Sequence, residues 1–418
     1  MNIKALVFIA LAYLIFSCGK EEVTAKTEYY QLELEIVPEE GGSIAVYDKT
    51  NNEEIANIDS IAEGTQVKLV PVAEDGFNFS GFWEDDTYIP EENPVLSITK
   101  DRSIKAVFRA DGSTPVDVFG SLSVEGKRII DENDVPVQLK GMSFFWSQWM
   151  GKYWNTDVVN WLTLDWEVNV VRAAMGVDEN GGYIFNATEK QKVETIVDAA
   201  IAKGIYVLID WHSHHAEDYT QEAVEFFSEM AEKYGQYPNV IYEIYNEPLD
   251  VSWNGTIKPY AERVINAIRE KDPDNIILVG TPKWSQNIDD VIGNTISGTN
   301  IAYVFHFYAS EQDHYNRLFD KLSDAIDADI PVFVTEWGVS EASGDGNFNK
   351  TYTQDWLDFM DLHKLSWCNW SVADKAETSA ALLPGANTKG GWSSDELNES
   401  GIYIRDILRK NQGYSNPK

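Results

Sequence analysis

Two short apolar runs, Tyr206-Val-Leu-Ile-Asp-Trp-His212 and Val240-Ile-Tyr-Glu-Ile-Tyr-Asn-Glu247, flank an amphipathic stretch at Gln221–Tyr234, and this unit decides the reading of the chain. A short β-branched run without strict alternation is the pattern of a strand buried on both faces, as in a parallel sheet. The stretch between the runs repeats its apolar residues at three and four spacing, which is the period of a helix. Strand, helix and strand in that order predict a crossover unit with parallel strands.

Working outward, the unit recurs. Gln138–Phe144 and Asn169–Met175 precede it, while Ile276–Gly280, Ile301–His306, Pro331–Glu336 and Ser366–Trp370 follow. Further helical patterns cover Lys190–Lys203, Ile257–Glu270, His314–Ile326 and Tyr352–His363. Eight strands alternating with helices over residues 117–411 predict an α/β fold, a (β/α)8 TIM barrel. Upstream, residues 29–110 show short alternating runs broken by Gly41-Gly42, Gly64 and Gly76, which predict a small all-β module of five or six strands. Residues 111–116 read as a linker. Within the module, Phe77, Phe79 and Trp83 recur at even spacing and read as sheet core in preference to a sugar platform.

Near the start of the chain, Lys4 precedes an apolar stretch from Ala5 to Phe16, which reads as a secretory signal too short to span a bilayer. Ile15-Phe-Ser-Cys18 resembles a lipobox, which implies a signal at 1–17, lipidation of Cys18 and a tether at 18–28. Gly19-Lys-Glu-Glu22 is similar to the acidic signals that route Bacteroidetes lipoproteins to the outer face of the outer membrane. The implied protein is secreted and held at the envelope by its lipid alone.

Across 418 residues, 33 Lys and Arg stand against 68 Asp and Glu, a net charge of −35. Such a surface repels phosphate backbones and anionic headgroups, so nucleic acid is excluded as a partner. Two cysteines, Cys18 and Cys368, are too few for a disulfide scaffold or a thiolate metal site. His212, His214 and His215 lack the spacing of a zinc motif, and no glycine-rich phosphate loop follows a strand. The expectation is a monomer with no metal and no cofactor.

In a barrel of this kind, function gathers at the carboxyl ends of the strands. Arg172, His212, Asn246, Glu247, His306, Tyr308, Glu336 and Trp370 all fall there. Glu247 and Glu336, on the fourth and seventh strands, face each other across the mouth. Two converging carboxyl groups suit glycosidic cleavage, one protonating the leaving oxygen and one attacking the anomeric carbon. On this reading Arg172 and Tyr308 keep Glu336 ionised, and Glu247 stays protonated.

Ile244-Tyr-Asn-Glu-Pro248, Val334-Thr-Glu-Trp-Gly338, Val171-Arg172, Asp210-Trp-His212, His306-Phe-Tyr308 and Asn369-Trp370 together resemble the signatures of glycoside hydrolase family 5. Gly141-Met-Ser143, Gln148-Trp149, Trp284-Ser-Gln286 and the run Asn369–Ser379 are similar to its bacterial endo-β-1,4-glucanases. The resemblance implies a retaining enzyme acting on β-1,4-glucan. It makes Glu247 the acid/base, Glu336 the nucleophile and Asn246 the donor to the sugar 2-hydroxyl, with Arg172, His212, His306 and Tyr308 around them. It further implies stacking platforms at Trp370, Trp149 and Trp284, and hydroxyl contacts from Lys375 and Glu377. One departure is that Phe144-Phe145-Trp146 stands where many members carry a His. Gly41-Gly-Ser-Ile44, Gly64–Leu69, Gly76–Trp83 and Ile104–Phe108 resemble a divergent internalin-type B-repeat. Rival readings are a sibling specificity for mannan, xyloglucan or mixed-linkage glucan, a non-catalytic glycan-binding lipoprotein, and an adhesin organised around the β-module.

Overall fold

A computed structural model describes residues 27–84, 87–89, 93–110 and 113–410; the expected signal, Cys18 and most of the tether lie outside them. Eight parallel strands close into a barrel in chain order: β1 Lys140–Phe144, β2 Val170–Gly176, β3 Tyr206–His212, β4 Val240–Glu243, β5 Ile277–Val279, β6 Ile301–Tyr308, β7 Val332–Gly338 and β8 Trp367–Val372. Nearly every strand residue is buried, as expected where helices cover the outer face and side chains fill the lumen.

Helices Thr156–Leu164, Glu189–Lys203, Thr220–Tyr234, Lys258–Arg269, Phe319–Asp327, Lys350–Leu362 and Glu399–Leu408 surround the barrel. Their ends follow local chemistry. Asn155 accepts from the Val158 N–H and Asn349 from Thr351 and Tyr352, satisfying first-turn donors, while Gly204 ends its helix in the left-handed region at φ 63°. Between β5 and β6 the described chain forms only the short turns Pro282–Ser285 and Ile288–Val291.

The lower lumen is apolar: Leu139, Val170, Tyr206, Leu208, Ile241, Leu278, Val304, Phe333 and the buried thiol Cys368 pack together. Phe119, Leu122 and Ile129 plug it from below, carried by helix Pro115–Phe119 and the hairpin Ser123–Glu125 with Arg128–Ile130. That helix begins inside the expected linker, where Thr114 and Asp117 cap it reciprocally. The upper lumen is polar. Its shape depends on a bulge in β7, where pairing with β6 passes from Val304 opposite Phe333 to His306 opposite Glu336. One extra residue on β7 breaks the alternation and turns both Thr335 and Glu336 into the lumen.

The β-module forms one four-stranded sheet (Leu32–Val37, Arg102–Ala110, Phe77–Glu84, Thr87–Ile89), one three-stranded sheet (Gly42–Asp48, Gln66–Ala73, Val95–Ser97) and a short ribbon pairing Tyr29–Tyr30 with Ile61–Ala62. It divides more finely than the sequence predicts, because the ribbon and the Thr87–Ile89 edge are too short to show alternation. Its core holds Leu32, Val67, Leu69, Phe82, Ile104 and Phe108, with Phe79 against Phe82 and Phe108. Trp83 is buried with Val107 against Val135 below the barrel. The aromatic run therefore packs the module and its contact with the barrel.

Candidate active site

Arg172 on β2 is fully buried among acceptors. Nε and Nη2 donate to both oxygens of Glu243 at 2.7 and 2.9 Å, Nη2 donates to Asn246 Oδ1 at 2.6 Å, and Nη1 donates to Glu336 Oε2 at 2.9 Å. Asp210 Oδ2 lies 3.0 Å from Nη2. The planar fork thereby ties the ends of β2, β3, β4 and β7 into one rigid group. With its Oδ1 committed to the guanidinium, the buried Asn246 leaves Nδ2 without a partner, a donor available to a bound ligand.

The two carboxyl groups differ in their neighbours. Glu336 accepts from Arg172 on one oxygen and from the Tyr308 hydroxyl at 2.8 Å on the other. Burial and the Glu336 and Glu247 carboxylates hold the Tyr308 phenol well above its usual range, so it stays a donor. Glu247 faces His306 Nδ1 at 2.9 Å and His214 Nε2 at 3.1 Å. Burial alone would raise the Glu247 carboxyl, but hydrogen bonds from His214 and His306 outweigh it and hold the group well below the usual range. The carboxyl that the sequence expects to hold the acid's proton thus sits between two imidazoles, His306 and His214.

Behind them, burial pushes Asp210 up to about 7 against the pull of Arg172. Burial and the Arg172 charge push His212 down to about 3, so its ring is neutral. His212 Nδ1 lies 2.6 Å from Asp210 Oδ2, which fixes the ring in a slot beside Trp370 and Trp146. Trp370 stacks on it with planes 7° apart, and Trp146 meets it edge to face with ring centroids 4.2 Å apart.

The structure gathers Arg172, His212, Asn246, Glu247, His306, Tyr308 and Glu336 into one hydrogen-bonded cluster. Trp370 joins through His212. Lys375 and Glu377 pair at 2.6 Å, with the ammonium over Phe145, which in turn touches Trp370. Trp149, half exposed, leans on Trp146 and Phe145. Trp284, 41% exposed, touches no other ring of the cluster; its backbone N–H donates to Pro248 O at 2.7 Å, beside Glu247. Sequence reading misses His214, Glu243 and Thr335. Glu247, His306 and Glu336 offer ligand atoms within 4.8 Å of one another, the set among the described residues that could hold a cation.

A family described as Cellulase (glycosyl hydrolase family 5) matches residues 130–376. Endoglucanase A of Evansella cellulosilytica is 49% identical over 280 residues, 66% of this chain and 57% of that protein. Endoglucanase N of Pectobacterium atrosepticum is 45% identical over 306 residues, 72% of this chain and 68% of that protein. The chain thus spans little more than half the length of the first of these relatives. An endoglucanase catalytic domain from Thermobifida fusca, solved in complex with cellotetraose, superposes with a TM-score of 0.67 at 34% identity, over 71% of this chain and 100% of that domain.

Proposed function

Since the chain belongs to glycosyl hydrolase family 5, we propose that it is a retaining endo-β-1,4-glucanase cutting internal bonds of cellulose or a related β-glucan. The observation that carries the reading is the carboxyl pair. One oxygen of Glu247 and one of Glu336 lie within 4.8 Å of each other. Oxygens this close suit the carboxyl separation of about 5–5.5 Å in a retaining site better than the roughly 6.5–9.5 Å that admits a water for inversion.

In this reading Glu336 attacks the anomeric carbon while Glu247 delivers a proton to the departing oxygen. Water, deprotonated by Glu247, then releases the sugar from Glu336. Arg172 and Tyr308 hold the nucleophile in place with both oxygens bonded, and the free Asn246 Nδ2 meets the sugar 2-hydroxyl. Endo action is supported by exposed indoles on opposite rims, Trp149 after β1 and Trp284 after β5. Rings stacking on both leave the chain free to run on in either direction.

Reducing-sugar release from lichenan, carboxymethyl cellulose, mannan and xyloglucan distinguishes the glucanase from its sibling specificities. Glu336→Gln is expected to abolish turnover, activated aryl cellobiosides included. Glu247→Gln should still be glycosylated by an activated substrate, and azide should restore its turnover. A first-formed α-anomer in NMR overturns the retaining assignment. The reading extends to a surface enzyme, anchored by the lipid on Cys18; support comes from Ile15-Phe-Ser-Cys18 alone, and labelled palmitate at Cys18 is the deciding measurement.

A further inference from the structure

Two buried side chains in the polar half of the lumen have no part in the reaction just described: Glu243 on β4 and Thr335, the extra inward residue of the β7 bulge. We propose that both are positioning residues, which hold a hydrogen on Nε2 of His306 so that its Nδ1 shares a single mobile proton with Glu247. The inference rests on Glu247 as the acid/base group.

Glu243 Oε2 accepts from Arg172 Nε at 2.7 Å; Oε1 accepts from Arg172 Nη2 at 2.9 Å and from Thr335 Oγ1 at 2.8 Å. Burial raises this carboxyl, but both its oxygens already face donors, so Glu243 is an acceptor throughout. Thr335 has one hydroxyl hydrogen and spends it on Glu243. Its lone pair lies 2.8 Å from His306 Nε2, which must therefore carry hydrogen. A neutral His306 then presents a bare Nδ1 to Glu247 Oε1 at 2.9 Å. Two lone pairs do not meet at that distance, so one proton occupies the gap at rest and passes from Glu247 to the leaving oxygen. Water returns it to the pair when the glycosyl-enzyme is hydrolysed, and the count closes. Other charged or titratable groups around the pair are His214 on Glu247 Oε2, Glu336 within 4.8 Å of both, Glu243 4.0 Å from His306 Nε2, and Asp210 behind them on the guanidinium.

Thr335→Val keeps the shape and removes the lone pair, leaving a buried N–H unpaired. Two results are expected: kcat/KM on cello-oligosaccharides falls about 10- to 100-fold, a part of the roughly 100- to 10,000-fold that acid–base catalysis contributes, and its alkaline limb moves to lower pH. Glycosylation by 2,4-dinitrophenyl cellobioside, which needs no protonation, should change far less. Thr335→Ser should keep the wild-type pH limb. Equal losses on both substrates with an unmoved limb would overturn the proposal by reducing Thr335 to packing. Nitrogen-15 NMR of wild-type His306 gives a reading that needs neither variant nor turnover. Hydrogen on Nε2 is expected, and a neutral Nδ1–H ring overturns the assignment even in an enzyme inactive on every glucan.

Discussion

Arg172 brings one positive charge to three buried carboxyl groups, Asp210, Glu243 and Glu336, and one guanidinium cannot hold three carboxylates ionised without water. Asp210 yields, with burial pushing it up to about 7, while burial and the same cation push its partner His212 down to about 3. The two shifts act on stability with opposite signs. Asp210 holds its proton more tightly when folded, a contribution present at acid pH and lost as pH rises through about 7; His212 resists its proton, a contribution present above its ordinary value near 6.5 and lost on acidification. Across about pH 4–6.5 the slopes offset each other. Asp210→Asn removes only the first, so the melting temperature of the variant should fall away from wild type as pH drops from 6.5 to 4; a constant gap in a calorimetric series would refute the pairing. These residues also mark how far the sequence speaks. His212, Glu247 and Glu336 were legible because a charge or imidazole ending an apolar run needs a reason, while Arg172, inside its run, was legible as the one cation within a buried strand. Glu243 and Thr335 sit inside such runs, where threonine is an ordinary strand former, and His214 lies on a loop that no periodicity places. The bonds on Glu247 were not legible because they come from the loop after β3, through His214, and from β6, through His306.

At the level of elements, the strands and helices on either side of the site follow the sequence closely, since buried parallel strands and amphipathic helices have distinct periods. The irregular pieces do not. β4 ends at Glu243, short of the apolar run, and Asn246 and Glu247 lie on the turn beyond it. The β7 bulge leaves no compositional mark. The turn after β5 carries Lys283, Trp284 and Ser285 at φ 61°, 58° and 54° with no glycine. Such residues cost of order 1 kcal/mol or more each, and tertiary bonds hold them: Lys283 N–H to Leu249 O, Trp284 N–H to Pro248 O, and Ser285 Oγ to Asn246 O at 2.7 Å. One strand position makes a sharp prediction. Gly141 in β1 pairs with Val170 and Cys368 on its two sides, and a Cβ there would sit 1.7 Å from the Val170 carbonyl. A closed barrel has no edge along which β1 could retreat. Gly141→Ala should destabilise by about 3 kcal/mol or more, read as a lowered urea midpoint. A loss below about 1 kcal/mol would mean that this seam opens easily.

For the whole molecule, the net charge of −35 meets a substrate class in which the natural polymer is neutral and a common assay polymer is anionic. Inside the cleft, Arg172, His214 and Lys375 stand among the carboxylates and pair with Glu336, Glu247 and Glu377. Repulsion belongs to the outer surface, which a long chain must cross to bind along the groove. Charges farther apart than the Debye length, about 10 Å at 0.1 M salt, are largely screened, whereas at 0.01 M the reach is about 30 Å. Raising salt from 0.01 to 0.2 M should therefore lower KM for carboxymethyl cellulose several-fold with kcat unchanged, because association alone is affected. Lichenan and cello-oligosaccharides, being neutral, should show no such trend. A salt effect of equal size on both polymers would place the ionic sensitivity in the carboxylate and imidazole cluster instead of on the surface. Short carboxymethylated oligomers separate the two further: bound only at the mouth, they should respond to salt less than the polymer does.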